Sequence, residues 1–124
     1  MTYLYIVLGA AAGAPLRYFL QARVQGTTSD AFPIGTFVVN ITGCIAIGLL
    51  AALTEYKGFL SREARLLLIS GFLGSYTTFS AFGLEGYDLL RSGEMVRAGA
   101  YLVLSVVVGI AAVWASYSAV RALA

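Results

Sequence analysis

The chain has 124 residues, of which 60% are hydrophobic and 11% are charged, and its formal net charge is +2. A soluble domain carries roughly 25% charged residues, so this composition indicates an integral membrane protein, and the small basic excess gives no support to nucleic-acid binding. The sequence has no histidine and one cysteine, which excludes a metal site built on His and Cys and an intrachain disulfide. Cys44 is expected to pack as a small hydrophobe.

Four segments are long enough to span a membrane, which takes roughly 20 mostly apolar residues. They are residues 3–20, 32–53, 64–90 and 98–120, and they form a single expected domain over 1–124. The first segment has no basic start or clear cleavage site of a signal peptide, so it is expected to remain as a span. The polar stretch 26–30 is turn-like, Pro33 suits the first turn of the second helix, and Ser61 and Ser92 are candidate caps of the third and fourth helices.

Lysine and arginine divide evenly between the two ends of this arrangement. One end carries Lys57, Arg62, Arg65 and Arg121, and the other carries Arg17, Arg23, Arg91 and Arg97. The positive-inside rule therefore gives almost no orientation. Either something else orients the chain, or it inserts both ways and assembles as an antiparallel pair, with a two-fold axis in the membrane plane that would place an ion site near the midplane.

The third segment is unusually polar at its centre, where residues 71–82 contain two glycines, two serines and two threonines. Irregular backbone survives at this depth only against protein, water or an ion. A helix break near 74–78 would free carbonyl oxygens, which are good ligands for a hard cation. Alternatively, Gly71 and Gly74 simply allow close helix packing. The spacing does not decide between these interpretations.

Other polar and aromatic residues follow helical spacing. Phe79 and Phe82 share a helix face, and their ring edges would suit a small anion, although ordinary packing is the commoner role. Asn40 must be hydrogen-bonded in a span, either as a tie between helices or as a pathway ligand. It belongs to a stripe with Thr36, Cys44 and Gly48, while Tyr101, Ser105 and Gly109 form another on the fourth segment.

Two charged residues lie inside the spans. Arg17 is expected to reach toward the interface, or to act as a vestibule charge that concentrates anions. Glu85 is the carboxylate well inside the third segment, where it would titrate, pair with a basic group, or face water.

Together, the motifs at 13–18, 35–43, 71–82 and Tyr101 with Ser105 resemble the Fluc family of fluoride channels, also called CrcB, over essentially the whole chain. The resemblance implies an antiparallel, dual-topology homodimer in a bacterial-type inner membrane, with two pores that export F⁻ passively and give fluoride resistance. It also implies a structural Na⁺ between the subunits, held by the backbone carbonyls of Gly74 and Thr77.

The resemblance further assigns the site residues. Asn40, Phe79 and Phe82 match pore positions, and Thr36, Ser80, Tyr101 and Ser105 match the polar lining. Arg17 matches a basic residue of the first helix, and Glu85 matches a carboxylate near one pore end. Some family members have a serine where this chain has Gly109, so water is a candidate replacement for that last hydroxyl.

Three other functions compete with a channel. A proton-coupled small multidrug exporter also has four spans, but it needs a membrane-embedded carboxylate, and most of the first, second and fourth segments contains none. A non-transporting assembly subunit would need no polar stripe through three helices. An enzyme is disfavoured because the chain has no histidine, no thiol–base pair and no metal cluster.

Overall fold

A computed structural model describes residues 1–28 and 31–124, and within these residues the chain is helical with short turns and no strand. The described part has four stretches suited to cross a membrane: Thr2–Gln25, Ile34–Lys57, Arg62–Arg91 and Met95–Ala122. The first two are helices α1 and α2. The third span comprises α3 (Arg62–Arg65), a π-helix (Leu66–Leu73), α4 (Gly74–Tyr76) and α5 (Phe79–Arg91), and the fourth is α6 (Met95–Ala122). The prediction of an all-α protein with four spans is confirmed.

Helix α1 extends beyond its predicted end at residue 20. It continues to Gln25, whose amide donates to the Phe32 carbonyl at 3.2 Å and accepts from the Gly35 N–H at 3.1 Å. These bonds hold the extra turn against the start of α2. The predicted turn at 26–30 begins at Gly26, but Ser29 and Asp30 lie outside the described residues.

The predicted caps have different outcomes. Ser61 Oγ accepts from the Ala64 N–H at 3.2 Å and begins the third span, as predicted. The assignment of Ser92 is wrong, because its hydroxyl donates to the Asp88 carbonyl at 2.8 Å and ends α5. Gly93, with φ at 81°, turns the chain before α6 begins. Pro33 precedes α2 instead of lying in its first turn.

Two threonines interrupt the third span. Thr77 (φ −85°, ψ 159°) and Thr78 (φ −148°, ψ 118°) have extended backbone between α4 and α5. The predicted broken helix is therefore confirmed, although Gly74 itself is helical at φ −61° and ψ −28°. Glycine lowers the stability of a helix without fixing where it ends.

Helix α1 packs closely against the third span through glycines. A Cβ on Gly9 would stand 2.0 Å from the Leu67 carbonyl oxygen, and a Cβ on Gly71 would stand 2.5 Å from a carbonyl of α1. Small residues permit such contact between membrane helices. Close packing is thus the right interpretation for Gly71. A Cβ on Gly74 would have ordinary space, with the Ile69 carbonyl 3.7 Å away.

The other main contact joins α2 and α6, where a Cβ on Gly48 would stand 2.0 Å from the Ser116 hydroxyl. Two small clusters of buried side chains flank this pair. One contains Val39, Leu73 and Tyr76, and the other contains Leu89, Ala98 and Tyr101. Large apolar side chains such as Trp114, which is 70% exposed, cover the outside, as lipid contact requires.

Candidate functional site

A cavity of about 430 Å³ opens beside the break in the third span. Six of the predicted site residues line it: Asn40, Gly74, Thr77, Phe79, Phe82 and Ser105. Cys44 and Thr78 line it as well. The structure thus places residues from three spans around one space, which we call the central cavity.

Asn40 holds the break open. Its amide NH₂ donates to the Thr78 carbonyl at 3.0 Å, and its Oδ1 accepts from the Thr78 N–H at 2.8 Å. Thr78 Oγ1 then accepts from the Ala81 N–H at 3.2 Å and caps α5. Both orphan groups of Thr78 are therefore satisfied by a side chain of another helix, as buried backbone in a membrane requires.

These bonds leave two carbonyls without their usual helical partners. In an α-helix the Gly74 carbonyl would accept from the Thr78 N–H, and the Thr77 carbonyl would accept from the Ala81 N–H. Asn40 and the Thr78 hydroxyl take those two N–H groups instead. Neutral carbonyl oxygens are ligands that a hard cation prefers. The two carbonyl oxygens at the break are therefore suitable ligands for such an ion.

Arg17 reaches the same region from α1. Its Nε–H donates to the Ser75 carbonyl at 3.1 Å, so the guanidinium satisfies one of the carbonyls at the end of α4. A cation at the carbonyl end of a helix is favourable. Neither sequence interpretation of Arg17 anticipated this bond, because nothing in the spacing pairs residue 17 with residue 75.

An aromatic row leads away from the central cavity. The rings of Phe79 and Phe82 have centroids 5.5 Å apart, and those of Phe82 and Tyr101 are 5.2 Å apart. Phe82 is half-buried, whereas Phe79 is 83% exposed. The Phe79 ring thus lines the central cavity at the surface of the single chain.

Beyond Phe82, three predicted residues share hydrogen bonds. Thr36 Oγ1 donates to Glu85 Oε1 at 2.6 Å, and the Tyr101 hydroxyl donates to Glu85 Oε2 at 2.7 Å. Thr36 and Tyr101 are fully buried, at 1% and 0% exposure. Glu85 therefore pairs with hydroxyls instead of the basic partner considered from the sequence.

A second cavity of about 660 Å³ lies at the end of the molecule where α2 begins. Arg17 and Glu85 both line it, together with Gln21, Gln25 and Asp88. We call it the outer cavity. The two residues assigned to a vestibule thus do share one polar space.

The remaining predicted residues have different surroundings. Ser105 Oγ is buried and has no hydrogen-bond partner, and it is the orphan buried side-chain polar atom found among the described residues. Ser80 is exposed and lines neither cavity. A Cβ on Gly109 would stand 3.4 Å from Cys44 Sγ, so Cys44 packs against this position.

The sequence reasoning missed two polar residues of the site. Gln21 donates through Nε2 to Thr36 Oγ1 at 2.9 Å, and Thr78 anchors the break through its backbone. Gln21 was placed in a loop because polar residues at the end of a span lower its hydropathy. The four-residue spacing from Arg17 and to Gln25 could have placed all three on one helix face.

The chain matches the family described as CrcB-like protein, Camphor Resistance (CrcB), over residues 4–117. A relative from Methylobacillus flagellatus, named fluoride-specific ion channel FluC, is 45% identical over 94% of this chain and 91% of its own length. A relative of the same name from Rhizobium etli is 46% identical over 97% of this chain and 96% of its own. Another from Chloroflexus aurantiacus, of the same name, is 47% identical over 89% of this chain and 87% of its own length.

Proposed function

Because the chain belongs to the CrcB family, we propose that it is a fluoride-selective channel that lets F⁻ leave the cell passively. The resemblance drawn from the four motifs is confirmed, and so is the expectation of a multi-pass bacterial membrane protein that is an ion channel and not an enzyme. The alternative of a small multidrug exporter is not favoured, since the relatives carry the channel name.

The observation that carries the proposal is the buried, unpartnered hydroxyl of Ser105 in the central cavity. A buried polar group without a partner costs free energy, and such an exception in a native protein calls for an explanation such as an absent ion or water. Asn40 lines the same cavity, and its NH₂ retains a second N–H beyond the one given to Thr78. Each of these two groups has an N–H or O–H to donate, which is what an anion would accept.

Fluoride is small and strongly hydrated, so a path for it must replace part of its water with donors. The proposed path runs from the outer cavity, with Arg17 and Glu85, past the hydroxyls of Thr36 and Tyr101. It then passes the edge of Phe82 and enters the central cavity. The positive edge of an aromatic ring stabilises an anion without a full charge. Phe79 lines the central cavity, whereas Ser80 is exposed, lines neither cavity in the single chain and would contribute only in an assembly.

The second part of the proposal is an antiparallel homodimer with two pores and a Na⁺ at its centre. The exposed ring of Phe79 and the even division of basic residues between the two ends support such a pair. Gly74 and Thr77 would hold the ion through the carbonyls that lost their helical partners. The ion would act as a structural staple between the subunits.

Flux from liposomes tests the function. Purified protein is expected to release F⁻ and to exclude Cl⁻, and no F⁻ release in Na⁺ buffer would refute the channel. Phe82→Ile and Phe79→Ile are expected to slow F⁻ release while the dimer persists. Phe59→Ile is the matched control. Phe59 lies in the connection between α2 and α3 and lines neither cavity, so this variant is expected to leave the flux unchanged. Equal flux in all three variants would reject the aromatic role.

Topology and the ion are tested separately. A cysteine placed at Thr27, in a Cys44→Ser background, is expected to be labelled from both membrane faces, and labelling from one face alone would exclude dual insertion. Preparing the protein in N-methylglucamine instead of Na⁺ is expected to weaken the dimer, and restoring Na⁺ is expected to recover it. A dimer of equal stability in both buffers would refute the staple.

A further inference from the structure

Gln21 begins a chain of two hydrogen bonds that ends on Glu85, and a third bond reaches Glu85 from Tyr101. The Gln21 amide nitrogen donates to Thr36 Oγ1 at 2.9 Å, Thr36 Oγ1 donates to Glu85 Oε1 at 2.6 Å, and the Tyr101 hydroxyl donates to Glu85 Oε2 at 2.7 Å. Each carboxylate oxygen therefore receives one hydroxyl proton. None of these bonds joins Gln21 to Glu85 directly.

The direction of the chain follows from counting protons. A threonine hydroxyl has one proton to donate and lone pairs that accept. Because the Gln21 N–H occupies an accepting side of Thr36 Oγ1, the hydroxyl proton is directed to Glu85. Thr36 is 1% exposed, so bulk water does not compete for that proton.

The position of Thr36 in α2 leaves its hydroxyl proton available for Glu85. Thr42 and Thr54, farther along the helix, donate to carbonyls four residues earlier, at 2.8 and 2.6 Å, which is ordinary for a threonine inside a helix. Thr36 is the third residue of α2, so the residue four positions earlier is Phe32, which precedes the helix and whose carbonyl accepts from Gln25 and from the Ile34 N–H. The Thr36 hydroxyl therefore donates to Glu85, while its oxygen accepts from the Gln21 amide.

We propose that Gln21 is a positioning residue for the anion path: it directs the Thr36 proton to Glu85 and so fixes where that carboxylate stands between the outer cavity and Phe82. The proposal rests on the proposed function, because its effect is on fluoride flux. A carboxylate held by two hydroxyls stays at the wall of the path, whereas one released by Thr36 can turn into the path and repel the anion.

Gln25 provides a matched control on the same helix, one turn later. It has the same side chain, but its amide bonds the Phe32 carbonyl and the Gly35 N–H at the start of α2. A substitution there disturbs the contact between α1 and α2 without removing the donor to Thr36.

The test is a double-mutant cycle on F⁻ release from liposomes. Gln21→Met is expected to lower the rate about tenfold, the loss of one hydrogen bond that acts on a charged group. In a Thr36→Val background, Gln21→Met is expected to have no further effect, because the hydroxyl it directs is gone. Gln25→Met is expected to change the rate by the same factor in both backgrounds.

Two results would overturn the proposal: an unchanged rate for Gln21→Met, or the same loss in the presence and absence of the Thr36 hydroxyl. If Gln21→Met does not assemble, Gln21→Glu repeats the cycle with a side chain that accepts the Thr36 proton, and the same non-additivity is required. Absence of F⁻ release by the unsubstituted protein would instead refute the proposed function.

Discussion

Replacing Asn40 by alanine removes the bridge that keeps the third span broken. Two hydrogen bonds to the Thr78 backbone are lost, at 3.0 and 2.8 Å. A hydrogen bond contributes a net of about 0.5–1.5 kcal/mol in proteins, and about 0.6 kcal/mol on average between membrane helices. We therefore expect Asn40→Ala to lower the free energy of unfolding by about 1–3 kcal/mol.

Reversible unfolding in detergent measures this loss, and two variants calibrate it. Asn40→Asp keeps an acceptor for the Thr78 N–H but turns a second carboxylate oxygen toward the Thr78 carbonyl, so at neutral pH it is expected to be no more stable than the alanine variant. Thr54→Val, on the same helix, removes only a bond within that helix to the Leu50 carbonyl and is expected to cost least. A stability of Asn40→Ala equal to that of Thr54→Val would refute the bridge.

Three further outcomes are expected. Ser105→Ala should slow F⁻ release without lowering the unfolding temperature, because the hydroxyl it removes has no partner in the protein; a lower unfolding temperature with normal flux would contradict this. Gly9→Ala should lower the free energy of unfolding by about 1–3 kcal/mol, because the added Cβ would overlap the third span. Gly99→Ala should leave it unchanged or raise it, because a Cβ there has open space. Arg17→Leu should destabilise the protein more than Arg17→Lys, which can still donate to the Ser75 carbonyl; equal losses would argue against that bond.

The sequence predicts the four spans and the broken third helix, because both follow from where apolar and polar residues fall. The family resemblance names the six site residues that line the central cavity, but only the packing of three spans brings them together. The sequence does not locate the break within the predicted stretch, since that depends on Asn40 reaching Thr78 from another helix. Two intrinsically flexible glycines drew the prediction toward Gly74, but long-range hydrogen bonds decide where the helix ends.

The ends of helices are the other part that the sequence leaves open. Gln21 and Gln25 look like a loop by hydropathy, yet both are helical because their amides find partners on α2. Ser92 looks like a cap for the helix that follows, yet its hydroxyl bonds backward to Asp88. In each case the residue type is informative, and the partner that fixes its role is distant or ambiguous in sequence.

The π-helix Leu66–Leu73 restricts how many residues the third span can contain. A π-helical stretch takes more residues per turn than an α-helix, so it absorbs an extra residue without lengthening the span. One further residue inserted there, with the helix type unchanged, would rotate everything after it by about 100°, the angle of one residue in an α-helix. Thr78 would then turn away from Asn40, and Phe82 from Tyr101. An insertion in this segment would therefore be far more damaging than a conservative apolar substitution at the same position.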